Sequence, residues 1–312
     1  MSGFERWRLG VAGLAVAIAL AACGGGGSST PANGASTALA QEPGAPTLTN
    51  NIQADGLAWI NYRRAQIGIP VLLRNSLVDK AAQNHSDYQN VNNVVSHDET
   101  AGLPDFTGVR TQDRLAAAGY VFGSGGYAGE VISATSSNSG FFMAEELITA
   151  IYHRFAIFEP KFTQIGTGAA TNGKGYTYFT TDFTTPDSSN AGLGRGAMVT
   201  WPANNQTLVP TNFFSDNETP DPVDGVNEVG YPISVHADIT SVIVVNSFTV
   251  RPRGGSDMNA KLLQPGGDIH TANSVAALIP LAVLKSGTTY DVTFNGSVDT
   301  VPVNKSWSFT TK

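Results

Sequence analysis

His97 stands in the polar stretch NVVSHDETAG, Glu130 follows a glycine in GYAGEVIS, and His153 lies in the apolar stretch AIYHRFAIFEP. Two imidazoles and a carboxylate meeting in one cleft could hold a divalent ion such as zinc or calcium, with water in an open position. The same three groups could instead orient a water by general acid–base action without any metal. They are scattered along the chain and form no compact motif such as HExxH, so spacing alone leaves both readings open. Each also has a plainer reading: His97 as a solvated turn, Glu130 as a surface acid, and His153 as a packed ring that needs a buried partner.

The remaining chemistry-bearing residues narrow the field. Cys23 is the only cysteine, so a disulfide framework is excluded, and so is a cysteine metal site. There is no GxSxG nucleophile elbow. Ser96 precedes His97, but neighbours in a chain seldom aim at one another. GSGGYAGE is glycine-rich yet lacks the lysine and threonine of a phosphate loop; its glycines suit tight turns that bring Glu130 into place. His85 shares an apolar stripe with Leu77 and Ala81 and reads as a core histidine. Arg154 reads as a structural pairing group, Asp182 in TTDF as a structural strand acid, and His236 and His270 as structural or solvated.

Helices and a hairpin must position these groups. GLAWINYRRAQIG predicts a short helix leaving at Gly68. SLVDKAAQNHSDYQNVNN predicts a second, capped by Asn75 or Ser76, with Leu77, Ala81, His85 and Tyr88 on one face. A third is expected from Thr111 to about Gly119. A fourth is expected to run unbroken through FFMAEELITAIYHRFAIF and to stop before Pro160. FTQIGTGAATNGKGYTYFTTDFTT alternates as strands do, with Asn172-Gly173 at the turn. Beyond about residue 187 helical periodicity disappears. Short strand-like runs broken by Gly, Pro and Asn predict an all-β sandwich, with Trp307 and Phe309 in its core.

The amino-terminal residues bear on location. Arg6 and Arg8 precede an apolar run from Val11 to Leu20, the shape of a signal segment and too short for a span of about 20 residues. Leu20-Ala21-Ala22-Cys23 resembles a bacterial lipobox, which implies cleavage before Cys23 and a lipid on its thiol. GGGGSST then reads as the start of a flexible tether. Gly24 stands where an aspartate would resemble an inner-membrane retention signal, which favours an outer membrane in a cell that has one. The net charge is −7 and no basic patch is visible, so nucleic acid is not an expected partner. The expected organisation is therefore a signal peptide at 1–22, a linker at 23–50, a mixed domain at 51–186 and a β-sandwich at 187–312.

Several stretches in order, NYRRAQIGIPVLLRNSLVDKAAQNHSDYQ, SHDETAGLPDFTG, RLAAAGY, GE, YHRFAIFEPKFTQIGTG and GYTYFTTDF, resemble the bacterial branch of the CAP superfamily, the SCP-like extracellular domain. The resemblance covers about residues 55–185. It implies an α/β fold, an α-β-α sandwich with a central antiparallel sheet, and a cleft lined by histidine and acidic residues. His97 matches the family histidine after the second helix, and Glu130 matches the glutamate of the GEN motif, which reads GEV here. Ala150 fills the place of the second glutamate, while His153-Arg154 match the HR pair of the bacterial branch. Whether Glu145 or Glu146 replaces the missing carboxylate is left open. WPANNQTLVPTNFFSDNETPDP and the closing WSFTT resemble bacterial immunoglobulin-like modules, which implies a spacer or adhesion unit. Together these point to a membrane-anchored envelope protein that binds a lipid, a cell-wall glycan or a surface protein in a His/Glu cleft. The alternative is a peptidase-like hydrolase using His97, Glu130 and His153.

Overall fold

The computed structural model describes Leu39 and residues 41–312. The expected signal segment, Cys23 and the glycine-rich stretch after it lie outside the described residues. Among the described residues no helix is long and apolar enough to cross a membrane.

Five helices and four strands build the first unit. The helices are α1 (Ile52–Gln66), α2 (Ser76–Asn92), α3 (Thr111–Ala118), α4 (Gly140–Thr149) and α5 (Ile151–Ile157); the strands are β1 (Leu73–Arg74), β2 (Tyr127–Thr135), β3 (Gln164–Thr171) and β4 (Thr177–Thr185). The sheet order is β1-β3-β4-β2, antiparallel except for the short β1–β3 pairing. Every residue of β4 is buried, because helices cover both faces. On one face lies α2, whose Ser86 and Gln89 donate to Thr180. Gly166 and Gly168 of β3 allow this approach, since a Cβ at either would collide with the α2 backbone. On the other face α1 packs so closely that Gly56 lies against the Phe179 ring. The α-β-α layering implied by the family resemblance is present.

Local signals act where anticipated. Asn75 caps α2, its Oδ1 accepting from the amides of Leu77 and Val78 at 2.9 and 3.4 Å. Asn172 closes the β3–β4 hairpin, accepting from the amides of Lys174 and Tyr176. The buried stripe of α2 runs through Val78, Ala81, Ala82, His85 and Tyr88; Leu77, expected on that stripe, faces solvent in the first turn instead.

The second unit is all-β. Strands β5 (Val199–Trp201), β6 (Gln206–Val209), β9 (Ile233–His236), β10 (Ile243–Pro252), β11 (Ala260–Leu263), β12 (Val275–Pro280), β13 (Thr289–Val298) and β14 (Val301–Thr311) form two sheets, ordered β10-β13-β14-β6 and β11-β12-β9-β5. A small ribbon of β7 (Asn212–Phe214) and β8 (Glu228–Gly230) stands beside them. Alternate residues of β13 are buried, as a one-sided sheet requires, and Trp307 and Phe309 are core residues.

Two expectations need correction. The fourth helix is not continuous: Ala150 is extended, at φ −68° and ψ 121°, and separates α4 from α5. A new helix start leaves new unpaired amides, and Glu218 from the second unit supplies the acceptors. Its carboxylate accepts from the amides of Ile151, Tyr152 and His153 at 2.8, 2.7 and 3.1 Å, and His153 Nδ1 lies 3.0 Å from Glu218 Oε1. The end of the expected linker is also folded. Leu39, Ala45 and Leu48 pack against the core, and Glu42 forms a bidentate pair with Arg63 at 2.8 and 3.0 Å.

The two units share one core. Trp59, Phe158 and Ile165 of the first belong to the same buried cluster as Trp201, Val235 and Phe309 of the second, and Phe158 meets Trp201 at 5.1 Å between ring centres. Arg154 adds polar ties, donating to the carbonyls of Ile148, Thr149 and Pro232. Replacing Glu218 with alanine strips the α5 amides of their acceptors, and should cost about 3–5 kcal/mol, roughly 10 °C in melting temperature. Because the core is common, tryptophan fluorescence should report one transition that moves as a whole. Two separated transitions, only one of them shifted, would count against the shared core.

Candidate functional site

Glu130 on β2 lies directly opposite Asp182 on β4, so both side chains rise from the sheet face that α2 covers. His85 on α2 comes down onto this pair. After α2, Asn93 takes a left-handed turn at φ 51°, and the chain folds back through residues 94–109 to deliver His97 and Glu99. α3 then carries Arg114 inward. Six ionisable groups meet in this way, and all are buried, with His97 the most exposed at 9%.

Each contact in the group has a definite direction. His97 Nδ1 lies 2.8 Å from Glu130 Oε1, and Arg114 Nη2 donates to Glu130 Oε2 at 2.5 Å. Arg114 also donates to the carbonyls of His97 and Val109 at 2.8 and 3.1 Å. His85 reaches Glu99 Oε1 through Nδ1 at 2.9 Å and the Ser96 carbonyl through Nε2 at 2.8 Å. Glu99 accepts in addition from the amides of Thr107 and Gly108. The network thus ties the loop at residues 93–109 to α2, α3 and the sheet at several points.

Electrostatics separates the two facing carboxyls. Burial alone would raise Glu130, but the Arg114 guanidinium, helped by His85 and His97, holds it well below the usual carboxylate range. Asp182 goes the other way: burial, and then the neighbouring Glu130 charge, push it well above that range. Asp182 therefore gives up its proton less readily than an ordinary aspartate, and that proton can be donated to the facing Glu130 carboxylate. Glu99 is held low against its own burial by His85 and the Thr107 amide.

The residues do not suit a divalent ion. Both oxygens of Glu130 are engaged, one by a buried guanidinium standing where a cation would bind. Both nitrogens of His85 are also engaged. Among the described residues no group of three or more His, Cys, Asp or Glu side chains is arranged to hold a metal.

Of the three residues singled out from sequence, His97 and Glu130 come together and His153 does not join them. His153 is fully buried at the junction of the two units, paired with Glu218. The reason is its helix: all seven residues of α5 are buried, so its side chains serve the packing of both units. Glu145 does not replace a missing carboxylate either; it binds Arg63 and the Trp59 indole. The members that sequence reasoning did not assign to this cluster are His85, Glu99, Arg114 and Asp182. Two signals could have found them: an arginine on the same face as Leu115 and Ala118 in a short helix, and the one charged residue in a strand otherwise made of threonine and aromatic residues. Both require buried partners.

Residues 57–183 match the family model of CAP, the cysteine-rich secretory protein family, and this part of the chain is a CAP domain. Among solved structures the chain is similar to an extracellular protein containing an SCP domain from Bacillus anthracis str. Ames, at 24% identity and a TM-score of 0.37, over 43% of this chain and 40% of that one. It is also similar to a cysteine-rich secretory protein from Staphylococcus aureus, at 15% identity and 0.32, over 45% and 40%. A third is an outer surface protein from Borrelia burgdorferi, at 13% identity and 0.36, over 42% and 90%. The chain thus spans well under half the length of the first two. No curated protein matches it.

Two outcomes follow from the electrostatics. Asp182 has a folded value above its ordinary 3.8, so the folded state holds this proton more tightly than the unfolded chain. The resulting loss of stability begins near pH 4 and grows as pH rises towards the folded value. Asp182→Asn, neutral at every pH, should therefore gain on the wild type progressively above pH 4 in urea melts. A constant difference across pH would refute the upward shift of Asp182. Separately, calorimetric titration with zinc and then calcium should give no saturable heat that disappears in His97→Ala; such heat would restore the metal reading.

Proposed function

We propose that the chain is an exported envelope protein, anchored through a lipid on Cys23, whose CAP domain binds a ligand and does not hydrolyse one. The observation that carries this reading is the condition of Glu130. Both its oxygens are bonded, and the Arg114 guanidinium holds it far below the ordinary carboxylate range. A general base is most effective with a pKa near the working pH, and so stabilised a carboxylate draws a proton from water poorly. The hydrolytic alternative also calls on His153, an imidazole committed to Glu218.

A buried network tied at this many points is well suited to rigidity. Here it holds the loop at residues 93–109 in one shape, and that loop forms surface beside the cluster. Lipid, cell-wall glycan and surface protein are the ligand classes that fit an envelope location. The all-β unit is read as an immunoglobulin-like spacer, made stiff by the shared core.

The full chain in detergent, offered peptide and ester substrates, should show no turnover above that of Glu130→Gln. Turnover that vanishes in a folded Glu130→Gln protein would establish the hydrolase instead. In cells, Cys23→Ser should leave the membrane fraction, and the wild-type amino terminus should carry the mass of a diacylglycerol. A Cys23→Ser protein that stays membrane-bound would rule out this anchor.

A further inference from the structure

An open groove lies at the end of the CAP sheet where β2 finishes and the β3–β4 hairpin turns. It is lined by Asn93, Val95, Ser136, Asn172, Lys174, Tyr176 and Tyr178, with a volume of about 520 Å³, within the usual range for small-molecule sites. Tyr178 shares the sheet face of Asp182 and Glu130. Its register partner Ala134 is four residues from Glu130 on β2, about 13 Å along the strand. The groove is therefore distinct from the buried cluster, yet the cluster shapes one wall of it. Val95 precedes Ser96, whose carbonyl receives His85 Nε2, and the Tyr178 hydroxyl donates to Asn93 Oδ1 at 3.3 Å.

The chemistry of the lining is one-sided. Its amide acceptors are already used inside the protein: Asn172 Oδ1 takes the amides of Lys174 and Tyr176, and Asn93 Oδ1 takes the Tyr178 hydroxyl. The amide nitrogens of Asn93 and Asn172 and the ammonium of Lys174 are donors, and the Ser136 hydroxyl can donate or accept. Among the described residues no carboxylate lines the groove. Between the donors stands the half-buried Tyr176 ring, backed edge to face at 5.3 Å by Tyr178, which is itself buried. The Tyr176 hydroxyl is fixed on the Ala134 carbonyl at 2.8 Å, so this aromatic wall is rigid.

Donors surrounding an aromatic wall, with one cation and no anion, match a ligand rich in oxygen acceptors that carries negative charge and an apolar ring face. We infer that this groove binds a saccharide bearing a carboxylate. The Lys174 ammonium meets the carboxylate, the asparagine amides and Ser136 meet ring and hydroxyl oxygens, and the Tyr176 ring meets the C–H face of a sugar. This inference rests on the binding reading above and gives it a ligand class and a surface outside the His97 cluster.

The test is calorimetric titration of the full chain in detergent with two disaccharides. One is N-acetylglucosaminyl-N-acetylmuramic acid, which carries a lactyl carboxylate; the other is di-N-acetylchitobiose, its neutral counterpart. Saturable binding of the acidic sugar is expected, with the neutral one about tenfold weaker, the usual worth of one hydrogen bond to a charged group. Lys174→Gln should remove that difference, while Lys305→Gln on the second unit should keep it. Raising the salt concentration should weaken the acidic sugar selectively. Equal affinity for both sugars would overturn the inference, as would a Lys174→Gln protein that behaves like Lys305→Gln. Absence of binding by either sugar would overturn it too, while leaving the domain a binder of another class. Cleavage of either disaccharide would instead overturn the binding reading itself.

Discussion

One carboxylate, Glu218, joins the two halves of this molecule. It is buried and accepts from three successive amides at the start of α5 as well as lying against the His153 ring. A helix of seven residues buried on every side cannot turn its unpaired amides to water. Without an acceptor from outside, the break at Ala150 would leave them orphaned in an apolar setting. With it, α5 can present one side to the CAP layers and another to the β unit, and a single core forms across both. Arg154 completes the arrangement by collecting carbonyls from both sides and stacking over Tyr231 at 5.0 Å.

The cluster around Glu130 answers a different constraint. A sheet face covered by a helix admits a carboxylate only with compensation, and here two carboxyls face one another. The Arg114 guanidinium favours the ionised form of one, and burial beside that charge favours the protonated form of the other. His85, Glu99 and the Thr107 and Gly108 amides extend the same solution to the loop after α2. The consequence is stiffness at a stretch of chain that has no regular structure of its own. In a CAP domain arranged in this way the histidines and acids act as framework for the loop beside them.

Legibility was uneven, and the unevenness follows the range of the interactions. The α2 cap at Asn75 and the hairpin turn at Asn172 depend on residues a few places apart, and the sequence predicts both. Alternation in β13 and the Trp307–Phe309 pair are likewise local patterns, and they locate the core of the second unit. The pairing of His97 with Glu130 crosses 33 residues, and it was visible only through likeness to a family. Asp182 passed as a structural acid, because its part in the cluster depends on the β2–β4 register. The break at Ala150 had no local signal, since its cap comes from a residue 65 to 67 positions away.

By itself, then, the sequence determined a mixed helix-and-hairpin domain, the all-β unit after it, and the helix caps and turns, while the α-β-α layering and the two members of the polar cluster came from likeness to a family. Periodicity and capping are properties of short stretches, and they survive without knowledge of the partner. Tertiary structure alone decided the place of His153, the sharing of α5 between two units, and the opposite directions in which Glu130 and Asp182 are shifted. Each of these is a question of which distant group arrives to satisfy a buried polar atom, and only the folded chain brings that group within 3 Å or so.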